Sequence, residues 1–202
     1  MDGTSRDALL SMFQDAITML SLTRAGFCCH DGSGLEVAAA LGRAIHKREN
    51  DLTEQLLAAQ PEREGLRFAP SHLERIGDAV EGLIRCVRGM ESEGTVFTDN
   101  GAREVDQLFE KALELVECAR DVALTGNAVL ARHVEIESMR FHDTASDFAR
   151  AHEARLLDGV CAPKASSAYL AMLDHLREVT RHARRITARI VAVGPQPVRR
   201  SA

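Results

Sequence analysis

The apolar residues of this chain recur at intervals of three and four over long stretches, and this spacing restricts the fold more than any other feature. The first stretch shows the pattern in the series Leu9, Met12, Phe13, Ala16, Met19 and Leu20. Such spacing places the apolar side chains on one face of an α-helix. Strand-like composition is confined to residues 95–97, which are too few to build a sheet. The pattern therefore predicts an all-α protein.

Turn-forming residues divide the periodic stretches into six predicted helices. Their approximate ranges are 5–28, 35–60, 71–91, 99–125, 128–157 and 166–193. Ser71 and Thr98 are predicted N-caps, because a hydroxyl side chain can accept a hydrogen bond from a free backbone N–H at a helix start. Residues 195–202 follow the last helix and are predicted to be a disordered tail.

Two pairs of short segments resemble each other in the two halves of the chain. Residues 12–17 align with 108–113, and residues 72–76 align with 175–179, in the same order and at similar spacing. The chain is therefore predicted to hold two tandem three-helix bundles, residues 1–94 and 95–194. Short loops predict that consecutive helices are antiparallel neighbours.

Composition excludes several classes of protein. The net charge of −5 disfavours a nucleic-acid partner. Five cysteines with no CxxC pair indicate a reducing compartment rather than a disulfide framework. The first residues do not resemble a signal peptide, and no apolar run approaches a membrane span. We therefore predict a cytoplasmic protein that reaches a membrane only through a partner.

One segment of the predicted third helix carries a distinctive charge pattern. Glu74 and Asp78 are four residues apart, so both carboxylates project from the same side of the helix. Bare carboxylates at this spacing repel each other, whereas a hard cation or arginines between them would stabilise the pair. Gly77 lies between them and costs about 1 kcal/mol in a helix interior, which indicates close approach of a neighbour.

Residues 73–79, Leu-Glu-Arg-Ile-Gly-Asp-Ala, resemble the Leu-Glu-Arg-Ile-Gly-Asp-His signature of the PhoU family. Residues 152–156 resemble the His-x-x-Arg-Leu of the PhoU-like region that follows sodium/phosphate cotransporters. The resemblance extends over residues 5–193. It implies a six-helix, two-repeat protein that regulates phosphate uptake in the cytoplasm. A phosphate transporter or its associated sensor kinase would then be the partner.

The same resemblance implies a metal site in the first repeat. Several PhoU proteins bind metal clusters through ExxxD pairs on adjacent helices. Glu74 and Asp78 would be one pair of ligands here, and the ion would be iron, zinc or manganese. The second helix departs from the pattern and offers His46 and Glu49 instead, with Glu49 expected to face the third helix.

The second repeat departs further from the family pattern. Arg177 and Arg181 occupy the positions of the two acids, and two guanidinium groups cannot bind a cation. We expect them to pair with Glu137 or Asp143 on the fifth helix. His152 and Arg155 are expected to form a structural polar pair at the end of that helix.

Three functions stay open at this point. The first is a non-enzymatic regulator of phosphate uptake, either monomeric or a homodimer. The second is an accessory domain of a sodium/phosphate-type carrier. The third is a metal-dependent phosphoester hydrolase, although the chain has no recognisable catalytic triad or glycine-rich phosphate loop. A solvated acidic edge is the plain alternative for Glu74 and Asp78, and a solvated basic face is the plain alternative for the arginines of the sixth helix.

Overall fold

The computed structural model describes residues 3–29, 32–58 and 64–192, and within these ranges the chain contains helices and no strand. The helices are α1 (Gly3–Cys29), α2 (Ser33–Ala58), α3 (Ala69–Glu93), α4 (Asp99–Thr125), α5 (Ala128–Leu157) and α6 (Pro163–Ala192). A single 3-10 turn, Glu64–Phe68, precedes α3. The all-α prediction is confirmed. The tail predicted over residues 195–202 lies outside the described residues.

Local capping explains where α4 begins and ends. Thr98 accepts a hydrogen bond from the N–H of Gly101 at 3.2 Å, which confirms it as the N-cap of α4. Gly126 ends α4 in the left-handed region at φ 66°, where glycine is favoured. The prediction for Ser71 is wrong, because α3 begins earlier, after Phe68, without a side-chain cap. The Ser71 hydroxyl instead donates to the Phe68 carbonyl at 3.3 Å.

The six helices form two bundles that pack side by side. In each set of three, α1 to α3 and α4 to α6, every helix contacts the other two. Between the sets, α3 packs along α6 and α1 packs against α4. Gly94, at φ 62°, ends α3 and starts the short link to α4. This confirms the predicted architecture of two tandem three-helix bundles.

One continuous apolar core joins the two bundles. Its buried side chains come from all six helices. Phe27 of α1 lies 5.9 Å from Phe109 of α4 and 5.8 Å from Phe97 of the link, measured between ring centroids. Phe97 in turn meets Tyr169 of α6 edge-on at 5.5 Å. Because this core is shared, the division into domains 1–94 and 95–194 stays a prediction.

Gly82 allows α3 and α6 to approach closely. A Cβ atom on Gly82 would lie 2.3 Å from Cε1 of His175 in α6, which is far inside van der Waals contact. A Cβ atom on Gly77 would meet only the side chain of Ile45, at an ordinary 3.7 Å. The expectation that Gly77 marks the close approach is therefore wrong, and the constraint lies at Gly82.

A matched pair of alanine variants tests this assignment. We expect Gly82→Ala to destabilise the protein by about 1–3 kcal/mol, because the added methyl group overpacks against the His175 ring. Gly77→Ala should be neutral or stabilise by up to about 1 kcal/mol, because alanine is the better helix former. Urea unfolding followed by far-UV circular dichroism measures both. Equal stability of the two variants would show that the His175 ring moves aside without cost.

Candidate functional site

Two of the four predicted metal ligands meet across α2 and α3. Nδ1 of His46 lies 2.8 Å from Oε1 of Glu74. The imidazole is largely exposed, with 72% of its side-chain area accessible, whereas the Glu74 side chain retains 21%. The pair is therefore a hydrogen bond at the edge of the first bundle, with Glu74 as the more enclosed partner.

Asp78 lies one turn further along α3 and pairs with a different residue. Its carboxylate is 3.3 Å from Nη1 of Arg75 on the same helix. It also lines the cleft between α3 and α6, together with Glu178 and Arg181. Glu74 and Asp78 thus lie on one side of α3, but Glu74 contacts α2 and Asp78 faces the cleft toward α6.

Glu49 is not joined to the His46–Glu74 pair. It accepts a hydrogen bond from the Thr53 hydroxyl at 3.1 Å, within α2. Across the described ranges, no set of three His, Cys, Asp or Glu side chains is arranged to hold a metal ion. The predicted ligands therefore do not fit a closed metal centre, in which four protein ligands are usual for zinc. Metal binding is thus implied by the sequence resemblance alone.

The arginines of the second repeat do not pair as expected. Arg177 bonds Asp174 on its own helix at 2.6 Å and reaches α5 through the Ser146 hydroxyl at 3.2 Å. Arg181 pairs with Glu178, also on α6. The expected pairing with Glu137 or Asp143 is wrong, because acids three residues away on the same helix are closer.

Glu137 has partners of its own. Its carboxylate lies 2.7 Å from Arg140 on α5 and 3.3 Å from Lys111 on α4. Lys111 also bonds Glu114 at 2.7 Å, so one ammonium group bridges two carboxylates. The ammonium group of Lys111 thus provides the positive charge between the carboxylates of α4 and α5.

The end of α5 holds the polar contact predicted there. Arg155 donates to both carboxylate oxygens of Glu104 on α4, at 2.8 and 2.6 Å. The Tyr169 hydroxyl of α6 donates to the same carboxylate at 2.5 Å. His152 stacks on the Tyr169 ring with centroids 4.2 Å apart. Burial, followed by the bond to Glu104, raises the pKa of Tyr169. His152 and Arg155 both reach neighbouring helices as expected, each through its own partner, Ser166 and Glu104.

A histidine pair between the bundles was missed by the sequence reasoning. Nδ1 of His72 in α3 lies 3.1 Å from Nδ1 of His182 in α6. His182 is 6% exposed, and His72 is half-buried. The repeat alignment paired His72 with His175 instead, and neither the spacing nor the composition around His182 distinguishes it from an ordinary core residue.

Burial and nearby cations keep this histidine pair neutral. The pKa of each ring is lowered to about 4, mainly by burial. Arg189 and Arg185 lower the pKa of His72 further, and His72 itself and Arg181 do the same for His182. Glu178 lies 3.6 Å from Nε2 of His182 but does not offset these effects. The α3–α6 contact therefore depends on two uncharged imidazoles.

This arrangement predicts acid sensitivity. Between pH 6.5, the ordinary pKa, and about 4, the folded value, the unfolded chain binds protons that the folded chain excludes. The stability that depends on two neutral imidazoles is thus fully present above pH 6.5 and is lost as the pH falls toward 4. We expect the Tm of the double variant His72→Gln/His182→Gln to fall less than that of the wild type over this window, by on the order of 5 °C. His142→Gln, an exposed position on α5, is the control and should follow the wild type.

Elemental analysis tests the predicted metal site. Because Glu74 and Asp78 serve separate partners, we expect the purified protein to hold less than stoichiometric iron, zinc or manganese. The double variant Glu74→Ala/Asp78→Ala should give the same reading. A stoichiometric ion in the wild type that disappears in the variant would establish the site implied by the resemblance and would require His46 or Asp78 to reorient.

No protein-family profile matches the chain, and no curated protein sequence matches it. Solved structures do match. PhoU from Pseudomonas aeruginosa superposes with a TM-score of 0.84 at 20% identity, over 94% of this chain and 95% of that protein. The phosphate transport system regulatory protein PhoU from Streptococcus pneumoniae gives 0.80 at 17% identity, over 94% and 93%. The resemblance to PhoU is thus confirmed for the fold, which this chain shares along nearly its whole length.

Proposed function

We propose that this chain is a non-enzymatic regulator of phosphate uptake and phosphate homeostasis. It acts in the cytoplasm by contact with a phosphate transporter or its associated sensor kinase. The observation that carries this proposal is the superposition of 94% of the chain on PhoU structures, one of them named as a phosphate transport system regulatory protein. The match also extends over 95% and 93% of the two solved PhoU proteins, so this chain has nearly their whole fold.

The polar groups of the candidate site favour contact over catalysis. Glu74 is bonded to His46, and Asp78 is paired with Arg75. A hydrolase that uses a metal needs an ion with an open coordination position. The described parts of the chain supply no three-ligand group for such an ion. The hydrolase alternative therefore lacks a supporting observation, whereas the regulator has one.

Exposed apolar side chains occur at both ends of the double bundle, and at one end they lie on two adjoining connections between helices, an arrangement suited to protein contact. Val96 in the α3–α4 link is 68% exposed, and Leu157 and Val160 at the α5–α6 turn are 88% and 60% exposed. The two connections lie side by side, because Lys164 bonds the backbone carbonyl of Glu93 at 3.3 Å. We place the partner contact at this end, which we call the apolar end.

In this proposal the chain reaches a membrane only by binding a partner protein. In the ranges 3–29, 32–58 and 64–192, no helix combines the length and the hydropathy that a membrane crossing requires. A homodimer is compatible with the proposal and stays a prediction.

Capture from the native host tests the function. An affinity-tagged chain, cross-linked in cells grown with and without phosphate, should enrich phosphate transporter subunits or a sensor kinase, identified by mass spectrometry. Leu157→Ser/Val160→Ser should reduce the enrichment by about tenfold or more, because burying a Leu or Val side chain in a contact contributes about 1.5–3 kcal/mol. Val129→Ser, 80% exposed but at the opposite end of the bundles, is the matched control and should capture normally.

Two outcomes would contradict the proposal. One is the absence of any phosphate-transport protein among the captured partners, together with unchanged phosphate uptake in a deletion strain. The other is hydrolysis of p-nitrophenyl phosphate that is lost in Asp78→Ala, which would favour the hydrolase.

A further inference from the structure

A groove runs between α5 and α6 in the second bundle, on the side of the arginines that replace the carboxylate pair. Its volume is about 880 Å³. Ser138 of α5 and Arg177, Arg181 and Arg184 of α6 line it. Most of these side chains are hydrogen-bond donors, so the groove is suited to a ligand rich in acceptors.

The floor of the groove contains donors without partners. Ser138 is 7% exposed, and its hydroxyl has no hydrogen-bond partner among the described residues. Nε of Arg177 is likewise buried and unpaired, although the two terminal nitrogens of that guanidinium bond Asp174 and Ser146. Buried polar groups in folded proteins are nearly always paired, because an unpaired one is destabilising. The Ser138 hydroxyl and Nε of Arg177 therefore retain hydrogen-bonding capacity for an occupant of the groove.

The rim supplies positive charge that is free to move. Arg181 is paired only with Glu178, one turn away on an exposed helix face, and such pairs contribute little to stability. Arg184 makes no ion pair within the part of the chain that the structure describes. Both guanidinium groups can therefore turn toward a ligand. A planar guanidinium group favours two oxygens bonded to the same atom, as in a carboxylate or a phosphate.

We propose that this groove binds a tetrahedral oxyanion, either free or as the phosphate group of a larger molecule. Ser138 and Arg177 would donate from the floor, and Arg181 and Arg184 would donate from the rim. This goes beyond the proposed function, because a regulator that acts by contact alone needs no such ligand.

The balance of charge in the groove determines the expected affinity for an anion. Three carboxylates, Asp143, Asp174 and Glu178, line the same groove as the three arginines. Asp174 stays paired with Arg177, whereas Asp143 and, once Arg181 turns toward the ligand, Glu178 oppose an incoming anion. Binding should therefore be modest in the wild type and tighter when Asp143 is neutral.

Isothermal titration calorimetry of the full chain tests the site. The probes are inorganic phosphate, inorganic sulfate and glycerol 2-phosphate, at constant ionic strength maintained with chloride. We expect Ser138→Ala and Arg184→Gln each to weaken binding about tenfold, since each removes a hydrogen bond to a charged group. Arg103→Gln removes the same charge on α4, outside the groove, and should bind as the wild type does. Asp143→Asn should tighten binding about threefold.

The serine variant separates binding from folding. Ser138→Ala should be at least as stable as the wild type without anion, because it removes an unpaired buried hydroxyl. Preference for inorganic phosphate or sulfate would identify a free oxyanion, and preference for the ester would identify a phosphate group of a larger molecule; both support the site.

No binding of any probe at millimolar concentration would overturn the proposal. Equal affinity of Arg184→Gln and Arg103→Gln would also overturn it, as would unchanged affinity of Ser138→Ala. None of these three results would affect the capture of a transport protein at the apolar end, so the two proposals can fail separately.

Discussion

The packing of α3 against α6 is the contact on which the rest of the structure depends, because it joins the two bundles along their length. The absence of a side chain at Gly82 brings the backbone of α3 against the His175 ring. The neutral pair His72 and His182 lies on the same interface. Both contacts require short distances, so the bundles cannot slide past each other without losing them. The candidate clefts on either side of α6 take their shape from this fixed position.

Much of the fold could be predicted because it depends on local patterns. The three-to-four spacing locates the helices, and the side chains of Thr98 and Asn127 mark two of their starts. The repeat predicts that the second three helices follow the order of the first. The error at Ser71 comes from a helix end where proline, rather than a capping side chain, lies in the first turn. The sixth helix, predicted from residue 166, likewise begins earlier, at Pro163.

The contacts of the candidate site were harder to predict, because they depend on which neighbour a side chain reaches. Of the four residues grouped as ligands of one metal ion, His46 and Glu74 meet in a hydrogen bond, whereas Glu49 and Asp78 have other partners. Arg177 and Arg181 were assigned to the wrong helix, since spacing alone does not show that an acid on the same helix is nearer. Gly77 and Gly82 look alike in the sequence, and only the position of α6 distinguishes them.

The contact between Tyr169 and Glu104 gives the protein a built-in spectroscopic signal. The chain has one tyrosine and no tryptophan, so its near-ultraviolet absorbance and intrinsic emission above the phenylalanine bands originate from a single ring. That ring is fully buried, lies parallel to His152, and donates to a carboxylate. A hydrogen-bonded phenol next to a carboxylate emits differently from one in water, so loosening of α4, α5 or α6 changes the whole signal. The second bundle can therefore be followed without a label.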